Sequence, residues 1–207
     1  MGPRHAAFAS LVPALCAACG RVCRIDAVLC TRCTRRLAEA EPLTGHGAPG
    51  LDRAWSSAAH EGVARDLVTA LKFRRLLPVA ATMAERIAWL APATLLSGEV
   101  VPVPSSRLRS FHRGFDPAAE IAAALSIRVG LPLVSCLARS DRGRQLGGRR
   151  AERIGRPPHV DLRGEAPRSV LLVDDVLTTG ATLAACARAL RGGGAIRVAA
   201  ITFTRRP

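Results

Sequence analysis

The stretch SVLLVDDVLTTGATLAAC, Ser169 to Cys186, constrains the chain more than any other. Four aliphatic residues run into two adjacent carboxylates, Asp174 and Asp175. A loop of hydroxyls with one glycine follows, and then apolar residues at helical spacing. The pattern predicts a buried strand, a tight loop and a helix. Neighbouring strand residues point to opposite faces, so two adjacent carboxylates cannot both be buried without partners. Leaving the strand, they can reach a diol or a hydrated metal. The loop Leu177, Thr178, Thr179, Gly180, Ala181, Thr182 brings backbone N–H groups to a helix N-terminus and adds three hydroxyls, which makes an anion site sized for one phosphate. Acids a few ångströms from a phosphate cradle describe a ribose 5-phosphate. An ordinary threonine N-cap explains one of these threonines but not the acidic pair and the loop together. No GxxxxGK[ST] occurs, and Gly192-Gly193-Gly194 follows a helix rather than a strand, so neither a P-loop nor a dinucleotide fingerprint is present.

The rest of the chain alternates in the same way. RAWSSAAHEG reads as a short strand ending in a turn, GVARDLVTALKF as a helix, and residues 76–91 as a second helix ending before Pro92. EVVPVPSS is a buried strand that breaks at Pro104. RLRSFHRGF is a basic loop closed by Asp116-Pro117, an N-cap with proline at the first helical position. Weaker strands are expected in LPLVSCLA and HVDLRG, and a final one in AIRVAAITF. Strands alternating with helices predict an α/β fold whose central, mostly parallel sheet is flanked by helices. PLTGHGAPG reads as a linker, and residues 139–158 form an arginine- and glycine-rich segment without apolar periodicity.

Five of the seven cysteines fall in the first 33 residues. Cys16 and Cys19 form one CxxC pair and Cys30 and Cys33 another, spacing suited to a closed four-thiolate Zn²⁺ site. Cys23 is spare; it either replaces a ligand or sits nearby. Disulfides and a redox CxxC fit less well, because two pairs lie close together without a βαβ frame. Residues 1–45 are therefore expected to be a zinc knuckle with a helical flank, and residues 46–207 an α/β domain. Cys136 and Cys186 are expected in the core.

The formal charge is +14, and Lys72 is the only lysine. Four thiolates with one Zn²⁺ add about −2, leaving roughly +12. That excess favours polyanionic partners, although arginine-rich codon usage accounts for such a surplus equally well. Residues 6–19 are apolar behind one arginine but short and interrupted by Pro13, so they are not expected to be an export signal. No window reaches the ~20 apolar residues of a transmembrane segment. A cytoplasmic location is expected. Histidines 60 and 112 are expected to pack or be solvated, and Trp55 and Trp89 to fill the core.

Residues 170–182, VLLVDDVLTTGAT, resemble the PRPP-binding signature of type I phosphoribosyltransferases. The chain as a whole resembles the ComF family, in which a four-cysteine knuckle precedes such a domain. HEG at 60–62, ALKF at 70–73, VPVP at 101–104, RGF at 113–115 and the stretch from Gln145 to Glu152-Arg153 carry the likeness. The resemblance implies a type I phosphoribosyltransferase-like fold and a Mg²⁺-PRPP site. Asp174 and Asp175 would hold ribose hydroxyls, and residues 177–182 the 5-phosphate. Ser105, Ser106 and Arg107 would hold pyrophosphate with Lys72 nearby, and Arg113 would close over it. Relatives tend to read RGFNQ where this chain has RGFDP, an asparagine at Arg156, and a glycine at Arg75. Two functions follow: transfer of phosphoribosyl to an acceptor with release of pyrophosphate, or a non-catalytic, PRPP-responsive protein binding single-stranded DNA beside the DNA-uptake machinery at the inner membrane face. Single-strand binders stack bases on aromatics, and only Phe111 and Phe115 are well placed for that.

Overall fold

The computed structural model describes residues 13–45, 47–106, 111, 113–140 and 158–206. Arg107, His112, Gln145, Glu152, Arg153, Arg156, and residues 6–12 and 141–157 of the two segments singled out above, lie outside the described residues.

In chain order the elements are α1 (Thr31–Ala38), β1 (Leu43–Gly45), β2 (Arg53–Ala59), α2 (Gly62–Arg74), α3 (Pro78–Leu90), β3 (Glu99–Pro102), α4 (Pro117–Val129), β4 (Leu137–Ser140), β5 (His159–Leu162), β6 (Ser169–Leu177), α5 (Ala181–Gly192) and β7 (Arg197–Arg205). The main sheet has the order β1-β2-β7-β6-β3. Its β2–β7, β7–β6 and β6–β3 pairs are parallel, and β1 closes the edge antiparallel to β2. The fold is thus α/β with a mostly parallel sheet, as the sequence pattern predicts. Leu43–Gly45 is a correction: this piece of the expected linker pairs with Ala54–Ser56 and begins the sheet. β4 and β5 form a separate antiparallel pair.

Period-two alternation sends each central strand to two cores. Leu171 and Val173 of β6, with Ile201 and Phe203 of β7, pack against α2, α3 and α4 on one face. Val170, Leu172, Val198 and Ala200 pack against α5 on the other, with buried Cys136 and Cys186. Trp55 joins the first core, whereas Trp89 is 85% exposed on the last turn of α3, contrary to the expectation that it fills the interior. Its helix presents Val79, Met83 and Ile87 inward instead, and the position of Trp89 falls off that stripe.

The knuckle shares the first core. Cys16, Ala17, Leu29, Cys33 and Leu37 are buried in the same cluster as Leu67 and Leu71 of α2. Two arginines fasten it. Arg74 of α2 donates to the Ala17 carbonyl, and Arg86 of α3 donates to the carbonyls of Ala40 (2.5 Å) and Ser57 (2.9 Å).

Candidate active site and cysteine cluster

Pairing between β3 and β6 ends at Pro102–Val173, with one further bond from Val103 N to the Val173 carbonyl at 2.9 Å. On its other side β6 stays paired with β7 as far as Leu177 and Arg205. The carboxylates therefore lie within β6, which runs two residues past the SVLLVDD strand that the sequence pattern predicts. What opens beside them is the gap where β3 turns away. Ligands of open α/β sheets bind at such carboxyl-end openings. A cleft of about 440 Å³ occupies it.

The alternation that poses the burial problem also solves it. Asp175 meets Lys72 of α2, with Nζ 2.7 Å from Oδ2, and the Lys72 and Asp175 side chains are 21% and 8% exposed. Asp174 accepts the Asp175 backbone N–H at 2.8 Å. Burial, and then the neighbouring charge of Asp175, hold the Asp174 carboxyl well above its ordinary 3.8. The folded apo-protein thus retains a proton that the unfolded chain releases. The stabilisation is complete below the ordinary value of 3.8 and is lost as pH rises through the folded-state value. Asp174→Asn, which cannot ionise, should therefore melt higher than wild type toward neutral pH and converge with it in acid; parallel melting curves against pH would refute this.

The loop geometry explains its glycine. Gly180 is the N-cap of α5 at φ 73°, and a Cβ there would lie 2.8 Å from the Ala48 Cβ. Thr179 Oγ1 accepts from the Ala181 amide at 3.4 Å. Thr178 and Thr182 line the cleft with Asp174, Asp175, Lys72, Ser105 and Arg113. Leu177 instead packs in the α5-side core, and Thr179 is exposed. Ser106 is 3% exposed, and its buried Oγ finds no partner among the described residues.

Two positions where the sequence departs from the pattern it resembles, Asp116 and Arg75, have structural readings. Asp116 caps α4 by accepting from Ala118 N at 3.1 Å, as expected, and its other oxygen takes the Ser105 amide at 3.0 Å. One carboxylate thereby fixes both the helix start and the loop after β3. Arg75 adopts φ 51°, the sole non-glycine among the described residues with positive φ, in the left-handed region that favours glycine. Its guanidinium lies 5.9 Å from the Phe115 ring centre, while Arg113 lies 5.6 Å from that of Phe73. These reciprocal cation–π contacts tie the RGF loop to the end of α2. Phe115 is covered by its arginine and packs against the core; Phe111 is 85% exposed.

Among the lining residues that the sequence reading did not place in the site are His60, Arg65 and Arg206. His60 and Arg206 directly follow β2 and β7, at the same carboxyl edge as the acidic pair. That shared edge was the available signal, but it needs the strand order to be read.

The ligand sulfurs of Cys16, Cys19, Cys30 and Cys33 all lie within 4.8 Å of one another, with Cys19 and Cys30 Sγ 3.8 Å apart. Zn–S bonds of about 2.3 Å in a tetrahedron require sulfurs about 3.8 Å apart, so the set fits a closed zinc site. Cys30 is the N-cap of α1 and Cys33 lies in its first turn, where burial, and then hydrogen bonds with the neighbouring cysteines, push the Cys33 thiol up. Burial works against the Cys16 thiolate, but amides of Cys19, Cys30 and Ala18 bring it down to about 6. Cys23 stands outside the set and donates to the Ala27 carbonyl at 3.4 Å.

A mostly parallel sheet carries an acidic pair and a hydroxyl loop at a helix start beside one carboxyl-end opening, the architecture of a type I phosphoribosyltransferase-like fold. Residues 112–207 match the phosphoribosyl transferase domain family. No curated protein matches the chain. Among the described residues, no helix is long and apolar enough to cross a membrane.

Proposed function

We propose that the cleft binds PRPP with Mg²⁺ and that the protein transfers its phosphoribosyl group to an acceptor, releasing pyrophosphate. The observation that carries this reading is the convergence of Asp174, Asp175, Thr178 and Thr182 on one opening between β3 and β6. Asp174 and Asp175 hold the ribose hydroxyls. The α5 N-terminus, through Leu177, Thr178, Thr179, Gly180, Ala181 and Thr182, holds the 5-phosphate. Ser105, Ser106 and Arg107 hold pyrophosphate, and the orphaned Ser106 hydroxyl is a donor suited to it. Arg113 and Lys72 offset the charge that develops on the departing pyrophosphate, and Mg²⁺, when bound with PRPP, adds to that neutralisation. Positioning and charge are most of what such a displacement needs. In the knuckle, the four cysteines hold Zn²⁺ as a structural ion.

The DNA-binding alternative rests on exposed Arg32, Arg35 and Arg36 of α1, which offer a basic face. It lacks a stacking platform at Phe115, already covered by Arg75.

Calorimetric titration with Mg²⁺-PRPP tests the reading. Wild type should bind, and Gly180→Ala should bind about tenfold more weakly, because a Cβ at positive φ and against Ala48 shifts the loop by a cost of roughly 1.4 kcal/mol. No heat with wild type would sink the proposal.

A further inference from the structure

The sheet order divides the cleft. The loop after β3 lies on one side of β6, while β7 and β2 lie on the other, ending in Arg206 and His60. In a displacement at the anomeric carbon, acceptor and leaving group occupy opposite sides. With pyrophosphate at Ser105 and Arg113, the acceptor comes from the β2–β7 side, where His60, Arg65, Thr69 and Arg206 line the wall.

His60 is held in one tautomer there. Its Nδ1 is 2.8 Å from Thr204 Oγ1, and Thr204 Oγ1 donates to the Asp175 carbonyl at 3.3 Å. A hydroxyl has one proton. With that proton committed, Thr204 accepts from His60, so Nδ1 carries the hydrogen and Nε2 keeps its lone pair. The same Thr204 links the histidine to the backbone of the acidic pair, which fixes the ring relative to the ribose site.

We infer that His60 is the proton acceptor for the incoming nucleophile, and that Arg65 and Arg206 select a nucleophile bearing an acidic group, such as a carboxylated nitrogen heterocycle. The inference rests on the phosphoribosyl-transfer reading above. The acceptor nitrogen forms a bond to the anomeric carbon as the bond to the pyrophosphate oxygen breaks, and the bonding pair leaves with pyrophosphate. The nitrogen's proton passes to His60 Nε2, giving an imidazolium. Two guanidiniums on one wall match a carboxylate's two oxygens. Arg65 keeps a second partner in Asp66 at 3.2 Å, an exposed contact that a bound carboxylate can replace.

The groups facing His60 keep it ready to accept. Burial first, then Arg206, Lys72 and Arg65, lower its pKa below 6.5, while Asp175 opposes them. The ring is neutral at pH 7, the state a base needs.

Matched probes test this: orotate against uracil, and imidazole-4-carboxylate against imidazole, each with Mg²⁺-PRPP and pyrophosphate release as readout. Wild type should turn over a carboxylated member at least about tenfold faster than its neutral partner. Asn preserves a donor toward Thr204 but no base, so His60→Asn should lower kcat about a hundredfold and lose the acid limb of the pH profile. Its affinity for Mg²⁺-PRPP should not change. Nitrogen NMR of the imidazole should show the Nδ1–H form. Equal rates within both pairs, no turnover by protein that binds Mg²⁺-PRPP, an unaltered His60→Asn profile, or an Nε2–H tautomer would each overturn the inference and leave the PRPP site standing. Failure of wild type to bind Mg²⁺-PRPP would instead remove the phosphoribosyl-transfer reading itself.

Discussion

Asp175→Asn is expected to weaken Mg²⁺-PRPP binding about a hundredfold and to destabilise the apo-protein by about 3 kcal/mol. Both effects come from one carboxylate in two relationships. In the apo-protein it neutralises Lys72, whose ammonium lies 2.7 Å away and whose side chain is four-fifths buried. Removing one member of a buried pair costs about 3–5 kcal/mol, because the other is left charged without a partner. The residual exposure of Lys72 puts this pair at the low end. A chain of this size loses about 2–4 °C of Tm per kcal/mol, so calorimetry should show a fall of about 6–12 °C. In the proposed complex the same carboxylate would accept a ribose hydroxyl, and a charge-assisted hydrogen bond is worth about 1.5–3 kcal/mol. The double variant Lys72→Met, Asp175→Leu separates the two roles. Replacing a buried pair by apolar groups is often neutral in stability, so Tm should recover, whereas PRPP binding should not. A double variant that binds like wild type would show that Asp175 serves the fold alone.

The strand, loop and helix around Asp174 were legible because three local signals agree there: a continuous aliphatic run, paired acids, and a glycine at a helix start. The four knuckle cysteines were legible because ligand spacing is a local property. What the sequence concealed was long-range. The partnership of Lys72 with Asp175 joins residues 103 positions apart. Asp116 announces itself as an N-cap, but its grip on the Ser105 amide depends on where β3 ends. His60 looked like a packing residue because nothing in its neighbours tells that β2 lies beside β7. Leu43–Gly45 looked like linker because a three-residue edge strand carries too little pattern to compete with its flanking prolines and glycines. Trp89 misled in the opposite direction: a large aromatic in an apolar helix was assigned inward, while the helix turned smaller residues to the core.

Chelation of the metal proposed for the knuckle is expected to lower Tm by about 7–21 °C and to weaken Mg²⁺-PRPP binding, although no cysteine lines the cleft. Structural zinc sites contribute about 10–16 kcal/mol of apparent binding free energy in isolated fingers, and a third of that, about 3–5 kcal/mol, corresponds here to about 7–21 °C. Loss of the metal leaves four thiols clustered within 4.8 Å with no ion to hold them. The knuckle's buried Cys16, Leu29 and Leu37 then lose their anchor in the core they share with Leu67 and Leu71. Arg86 would lose its Ala40 acceptor while remaining largely buried, with burial already depressing its pKa and its Nε unpartnered. Arg74 would lose the Ala17 carbonyl two residues along α2 from Lys72. The disturbance therefore reaches the helix that neutralises Asp175, and affinity for Mg²⁺-PRPP should fall with stability. Restoring Zn²⁺ should reverse both effects and adding Mg²⁺ alone neither. Cys30→Ser should reproduce the chelated state, whereas Cys23→Ser should melt as wild type, since Cys23 only donates to the Ala27 carbonyl. Equal melting of loaded and chelated protein would mean that the shared apolar core, and not the metal, holds the knuckle against α2.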